Sequence, residues 1–197
     1  MSASKPMLTI PALALRPTQA CVGFREVVRK RVEWRDRRRA LGHSPPPGPA
    51  IPVVVGPGGE HFAIDHHHLA RALHSEGIET LPARIMADAS SLPLDAFWAF
   101  LGARSWGRRI DAHGKPVDYW NMPQSVAELT DDPYRSLAGA LRRAGGFAKS
   151  AAPFSEFQWA DRLRCEIDVR LLRDDFDAAL ARALEIVGRV GRAVLRS

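Results

Sequence analysis

The sequence predicts an α+β chain, with strands concentrated in its first half and helices in its second. Three observations carry this. Residues 51–65 set β-branched and apolar residues on either side of Gly56-Pro57-Gly58-Gly59, the pattern of a hairpin. Residues 24–41 and 176–196 repeat apolar side chains at helical spacing. Beyond Pro123 the patterned segments are helical, one opened by Asp132-Pro133 and closed by Gly145-Gly146 and another over 156–164.

Composition narrows the class. The 197 residues suit one domain or one domain plus a helical appendage, since domains commonly run about 100–150 residues. Hydrophobic residues at 46% and charged residues at 25% are ordinary globular usage. Mean hydropathy is −0.19 and no unbroken apolar stretch approaches the ~18 residues of a helical membrane span, so no membrane partner is expected. The opening MSASKPMLTIPALALRPTQA lacks a secretory apolar core, and the expected localisation is cytoplasmic. Cys21 and Cys165 stand far apart without a CxxC, which argues against a disulfide framework or a cysteine zinc site. The net charge of +6 is concentrated in residues 25–39, where eight Arg or Lys face Glu26, Glu33 and Asp36.

Each element has a local reason. Residues 1–14 read as a loosely ordered lead, and Leu15–Gln19 as an extended stretch entering a turn at Pro17. The helix 24–41 gathers Phe24, Val27, Val28, Trp34 and Leu41 near one face and ends at Gly42. His43–Pro49 is proline-rich and reads as a stiff polyproline II connection. In the second hairpin strand, 61–65, Phe62 and Ile64 share one face while His61, Ala63 and Asp65 share the other. A helix over 66–76 follows, with Asp65 as its candidate N-cap and Gly77 as its stop. Residues 79–86 read as a further strand and 93–103 as a short helix. The aromatics Phe97, Trp98, Phe100, Trp106, Tyr119 and Trp120 are expected mostly in the core.

The chemistry gathers where the hairpin delivers the chain into the 66–76 helix. Backbone N–H groups at a helix start carry partial positive charge and suit phosphate, and Gly58 and Gly59 offer further amides. Histidines can donate to phosphate, and an aspartate can orient a histidine, hold Mg²⁺ or accept a hydroxyl proton. The plainer alternative is an Asp65 cap of about 1 kcal/mol with solvated histidines. Consecutive helical residues diverge by about 100°, so His66–His68 do not make a zinc pair, and no metal ligands are assigned. Separately, Arg35, Arg37, Arg38 and Arg39 could contact nucleic-acid phosphates or form a solvated basic face.

Pro17-Thr18-Gln19, the Val53–Gly59 strand and turn, and Ile64-Asp65-His66-His67-His68-Leu69-Ala70-Arg71-Ala72-Leu73 together resemble the ParB-like putative nuclease family of the ParB/sulfiredoxin superfamily. The match in order and spacing covers roughly residues 13–105. The resemblance implies a small mixed sheet with flanking helices that binds nucleotide phosphates, as in partition proteins that bind CTP, sulfiredoxins that use ATP and free-serine kinases. In the kinases the corresponding segment reads Asp-Gly-His-His-Arg. By position Asp65, His67 and His68 fall on its aspartate and two histidines, while His66 stands for the glycine and Leu69 for the arginine. Arg71 is the nearest replacement for that arginine, and Gln19 stands where the kinases carry a glutamate base.

The expectation is therefore a ParB/sulfiredoxin-like domain over residues 10–105 and a mainly helical C-terminal region over 106–197. The expected activity is phosphoryl transfer or nucleotide hydrolysis, with Asp65, His67 and His68 catalytic and Gln19, Gly58, Gly59, His66 and Arg71 on the phosphates. ATP, ADP or CTP with Mg²⁺ are the expected cofactors, and a nucleotide or phosphorylated small molecule the partner. A homodimer is consistent with the apolar stripe of the last helix. The alternative is a DNA-binding accessory protein or nuclease that uses Arg35, Arg37, Arg38 and Arg39.

Overall fold

The computed structural model describes residues 7–42, 48–147 and 154–194. Residues 43–47 of the expected polyproline segment, the first six residues of the expected lead and residues 195 and 196 of the expected last helix lie outside them. Contacts divide the chain into two units, one holding the residues up to Val22 together with Val27–Thr130, the other Gly23–Glu26 together with the residues from Asp131 onward.

In the first unit a five-stranded mixed sheet is built from β1 (Met7–Pro11), β2 (Leu15–Pro17), β4 (Ile51–Val55), β5 (His61–Ala63) and β6 (Thr80–Asp88), and β3 (Cys21–Val22) is a short strand outside it. The strand order is β1-β6-β4-β5-β2. β4 and β5 form the expected antiparallel hairpin, with Val53 opposite Ala63 and Val55 opposite His61. β2 lies parallel to β5, and β4 lies parallel to β6 with a bulge between Val53 and Val54. The lead is more ordered than its composition suggests. Met7–Pro11 pairs antiparallel with Thr80–Arg84, Ile10 is buried, and β1 thereby covers one edge of β6. Its partner lies some seventy residues away in the chain, so nothing local announces it.

Three helices complete this unit: α1 (Phe24–Leu41), whose first turn belongs to the second unit, α2 (His67–Ser75) and α3 (Leu94–Ala103). α1 has the expected bounds but a narrower seam. Val27 and Trp34, seven residues apart, are buried, whereas Val28 and Leu41 are about half exposed at 54% and 50%. Arg31 and Arg35, one turn apart, both reach the Glu76 carboxylate just beyond α2, at 2.5 and 2.7 Å. That fork ties α1 to the end of α2. The aromatic core packs Phe62 against Phe97 at 4.6 Å between ring centroids and against Trp98 at 6.2 Å. Gly56 makes this possible, because a Cβ there would stand 2.5 Å from the Phe62 ring. Met122 packs on the same cluster, and residues 106–130, which the sequence groups with the C-terminal region, belong to the sheet unit.

The second unit is helical, with α4 (Pro133–Arg143), α5 (Ser155–Glu166), α6 (Val169–Asp174) and α7 (Phe176–Val194). A two-residue strand, β7 (Thr130–Asp131), leads into it. Leu137, Leu141, Ala160, Leu163, Ala179 and Ala183 form its core. Both aspartates of Asp131-Asp132 are caps. Asp132 accepts from the N–H groups of Tyr134 and Arg135 at the start of α4, and Asp131 accepts from the Phe24 N–H at the start of α1, at 2.7 Å. The buried Glu26 pairs with Arg143 and lies against Gly139, where a Cβ would come within 2.9 Å of its carboxyl carbon. α6 is not foreseen from the sequence; it is one and a half turns long, too short to display a period, and is started by the Asp168 side chain. Among the described residues no helix is long and apolar enough to cross a membrane.

Candidate functional site

Parallel pairing decides what meets what. Because Leu15 aligns with His61 and Pro17 with Ala63, the chain leaves β2 and β5 at the same end of the sheet. Thr18-Gln19 follows the first strand and Asp65–His68 the second, so the Pro-Thr-Gln segment and the histidine run share a corner. The Gly58-Gly59 turn precedes β5 and lies at its opposite end, with at least the roughly 10 Å of a three-residue strand between. Its glycines have φ of 71° and 76°, which explains the residue type by turn geometry, and the Gly59 N–H is spent on the Gly56 carbonyl at 3.0 Å. The expected joint cradle of Gly58, Gly59 and the histidine amides is thus not assembled, because the hairpin separates its halves.

Thr18 is the hub of the corner, and the sequence did not single it out. Its N–H donates to His67 Nε2 at 3.2 Å, and its hydroxyl lies 2.8 Å from the Ala63 carbonyl and 2.7 Å from that of Trp106. Its own carbonyl accepts from the Arg108 N–H at 2.8 Å, and half-buried Gln19 forms a β-bridge with Arg108. One buried threonine therefore holds together the exit of β2, the start of α2 and the 106–108 loop. The only advance signal is its place between Pro17 and Gln19.

His67 is buried at 2% exposure with its Nε2 accepting a backbone hydrogen bond. Burial pushes its imidazole down to about 4, against the opposing effects of the Asp65 charge and the Ala63 carbonyl. It is neutral near pH 7 and faces the protein interior. Asp65 and His66 are exposed, and His68 is half-buried. The Asp65 carboxylate accepts from the His66 N–H at 2.6 Å and does not cap the helix as expected. The cap residue is His66, in the left-handed region at φ 61° and ψ 24°, and the first helical bond runs from the Ala70 N–H to its carbonyl at 2.9 Å.

That conformation costs a residue with a Cβ roughly 1–2 kcal/mol, and it is the position where the resembling kinase segment carries glycine. His66→Gly is expected to leave stability unchanged or to raise it by up to about 1 kcal/mol, and His66→Val to lower it by about 2 kcal/mol. Urea unfolding midpoints of the two variants check this; equal midpoints would mean that the left-handed turn is absent in solution.

The remaining expected residues divide. Arg71, on α2, acts along the helix on His74, whose imidazole is held below its ordinary value by burial and then by the Arg71 charge. On α1, Arg35 is engaged with Glu76, Arg39 with Asp36 at 3.4 Å, and Arg38 lies over the Trp34 ring at 5.5 Å, while Arg37 is exposed. Arg35 is thus part of a helix clamp, while all four of these arginines are exposed. Among the described residues no group of three or more His, Cys, Asp or Glu side chains stands together as a metal cluster.

The comparisons agree with this architecture. The model of the family described as "Putative ParB-like nuclease" matches residues 8–165. The crystal structure of protein Atu1540 from Agrobacterium tumefaciens is similar, with 45% sequence identity, a TM-score of 0.84, and coverage of 92% of this chain and 91% of that one. No curated protein matches the sequence. The family match takes in the sheet, the whole Thr18–His68 corner and most of the residues through α5. A chain matched over that span, with its Pro-Thr-Gln and histidine segments joined at one end of the sheet, belongs to the ParB-like putative nuclease family.

Proposed function

We propose that the protein binds a nucleotide or another phosphate-bearing molecule at the corner formed by Gln19, Asp65, His66 and His68, and performs phosphoryl transfer or hydrolysis there. One observation carries the reading: the exposed Asp65-His66 pair is presented at the start of α2 by a neutral, buried His67 locked onto Thr18. Helix-start amides and imidazole N–H groups suit phosphate oxygens, and a fixed frame lowers the cost of ordering them around the ligand. In this reading the exposed Asp65 carboxylate orients or deprotonates an attacking hydroxyl. His67 acts in this reading as a positioning residue, and Gly58, Gly59 and Arg71 take no part. A divalent cation would be held chiefly by the phosphates of the ligand.

A thermal-shift series with ATP, ADP and CTP at millimolar concentration, with and without Mg²⁺, tests it. At least one nucleotide is expected to raise the unfolding midpoint of the wild-type protein by mass action, with a smaller rise for Asp65→Ala. Midpoints that stay put for all three nucleotides would refute the reading. The family's description and the exposed Arg37, Arg38 and Arg39 favour a second reading, action on nucleic acid. Supercoiled plasmid incubated with Mg²⁺ or Mn²⁺ is the matching assay, in which that reading requires nicking that Asp65→Ala abolishes.

A further inference from the structure

We propose that the cavity of about 310 Å³ lined by Trp98, Gly102, Gly107, Arg109, Ile110 and Pro116 is a nucleobase site adjoining the phosphate corner. The inference rests on the phosphate reading and names the part of the ligand which that reading leaves open. The cavity lies at the small end of ligand pockets, which run roughly 300–1,000 Å³.

Its walls are braced by neighbours. Trp98 packs edge-on against both rings of the Phe62–Phe97 pair, at 6.2 and 6.0 Å between ring centroids, and Ile110 and Pro116 are joined by a β-bridge. Arg109 supplies the polar group. Its guanidinium carbon lies 5.9 Å from the ring centroids of both Trp98 and Tyr119, and Nη1 donates to the Val117 carbonyl at 2.7 Å. A guanidinium has five N–H donors, so this bond orients it and leaves others for the ring nitrogens and carbonyls of a base. With a cation and an indole in its lining and no acidic residue, the cavity suits a flat, acceptor-rich ring and disfavours a cation.

Glycine keeps the space open. Gly102 lines the cavity, and a Cβ on it would meet no atom within 4 Å, so a larger side chain there has open space at the cavity's rim. A Cβ on Gly107 would touch Trp98 at 3.5 Å and the Thr18 carbonyl at 3.6 Å. Thr18 is the residue whose N–H binds His67, so the wall of the cavity and the phosphate corner both adjoin the backbone of one residue. That is the juxtaposition a nucleotide needs, with phosphates and base reached from the same hub.

The test is isothermal titration of the wild-type protein and Gly102→Leu with ATP, CTP, adenosine, cytidine and inorganic tripolyphosphate. Leucine extends into open space and is a better helix former than glycine, so the variant is expected to fold, which its unfolding midpoint verifies. The expected result is a nucleotide that binds about tenfold or more tightly than tripolyphosphate, a margin lost in Gly102→Leu while tripolyphosphate affinity is unchanged. Arg109→Gln is expected to reduce the same margin. Tripolyphosphate binding as tightly as every nucleotide, or a margin intact in Gly102→Leu, overturns the base site and leaves the phosphate reading standing. Nucleoside binding that Gly102→Leu abolishes, with no binding of tripolyphosphate, upholds the base site and refutes the phosphate reading. No binding of any probe overturns both.

Discussion

Unfolding free energy is expected to fall by about 3 kcal/mol through His67 alone as the pH drops from above 6.5 to about 4. The sign follows from where protons bind. The folded protein holds this imidazole neutral down to about 4, while in the unfolded chain it takes up a proton at its ordinary 6.5. Its stabilising contribution is therefore complete above 6.5 and is lost progressively between 6.5 and 4. His74, also lowered, adds in the same direction as the pH falls below 6.5. The depressed carboxylates Glu76, Asp88, Asp111 and Asp168 respond at lower pH, as it falls below the ordinary carboxylate values of 4.5 and 3.8. Urea denaturation of wild type and His67→Gln at pH 7.5 and 5.0 checks the claim. The variant should start less stable, having lost a packed ring, yet show a much smaller loss on acidification. A pH slope identical in the two proteins would mean that His67 is open to solvent.

Asp132→Ala is expected to lower stability by about 3–5 kcal/mol, the range for breaking a buried ion pair. Asp132 is 2% exposed, accepts from the Tyr134 and Arg135 N–H groups at 2.9 and 3.2 Å, and receives Arg164 at 2.7 Å. Truncation leaves two cap amides and Nη2 of the half-buried Arg164 without their acceptor, while Nη1 keeps Asp161 at 2.8 Å, and the cap alone accounts for about 1 kcal/mol. Asp132→Asn keeps an oxygen for the cap and loses the charge, so its cost should be the smaller of the two. The pH response is opposite to that of His67. Burial pushes the Asp132 carboxyl up despite Arg164, so its contribution is fully present below 3.8 and declines as pH rises through the raised value. Denaturant unfolding read by far-UV circular dichroism tests the order Ala below Asn below wild type; a loss under 1 kcal/mol for Asp132→Ala would show that Asp161 suffices to hold Arg164.

The elements that the sequence made legible share a property: their signal is local. α1 and α3 follow from apolar period, α4 from Asp132-Pro133, and the hairpin from β-branched residues around Gly56–Gly59. β1 and α6 escaped because a five-residue edge strand and a six-residue helix carry too few residues to declare a period. The helix cap lies one residue further on, at His66, because residue type points to the aspartate, whereas the observed cap depends on a left-handed backbone that is uncommon for any residue with a Cβ. Within the site, the histidine run and the Pro-Thr-Gln segment were visible as strings. Their division into buried and exposed members was not.

By itself the sequence determined the α+β class, the basic helix and the family, through the Asp65–Leu73 string and its spacing from Thr18. Tertiary structure alone decided the rest. Parallel pairing of β2 with β5 sets Thr18 against His67, and the antiparallel hairpin carries Gly58 and Gly59 to the far end. The physical reason is that strand direction is a property of pairs of segments, and it sorts residues of equal chemical promise into those that meet and those that do not.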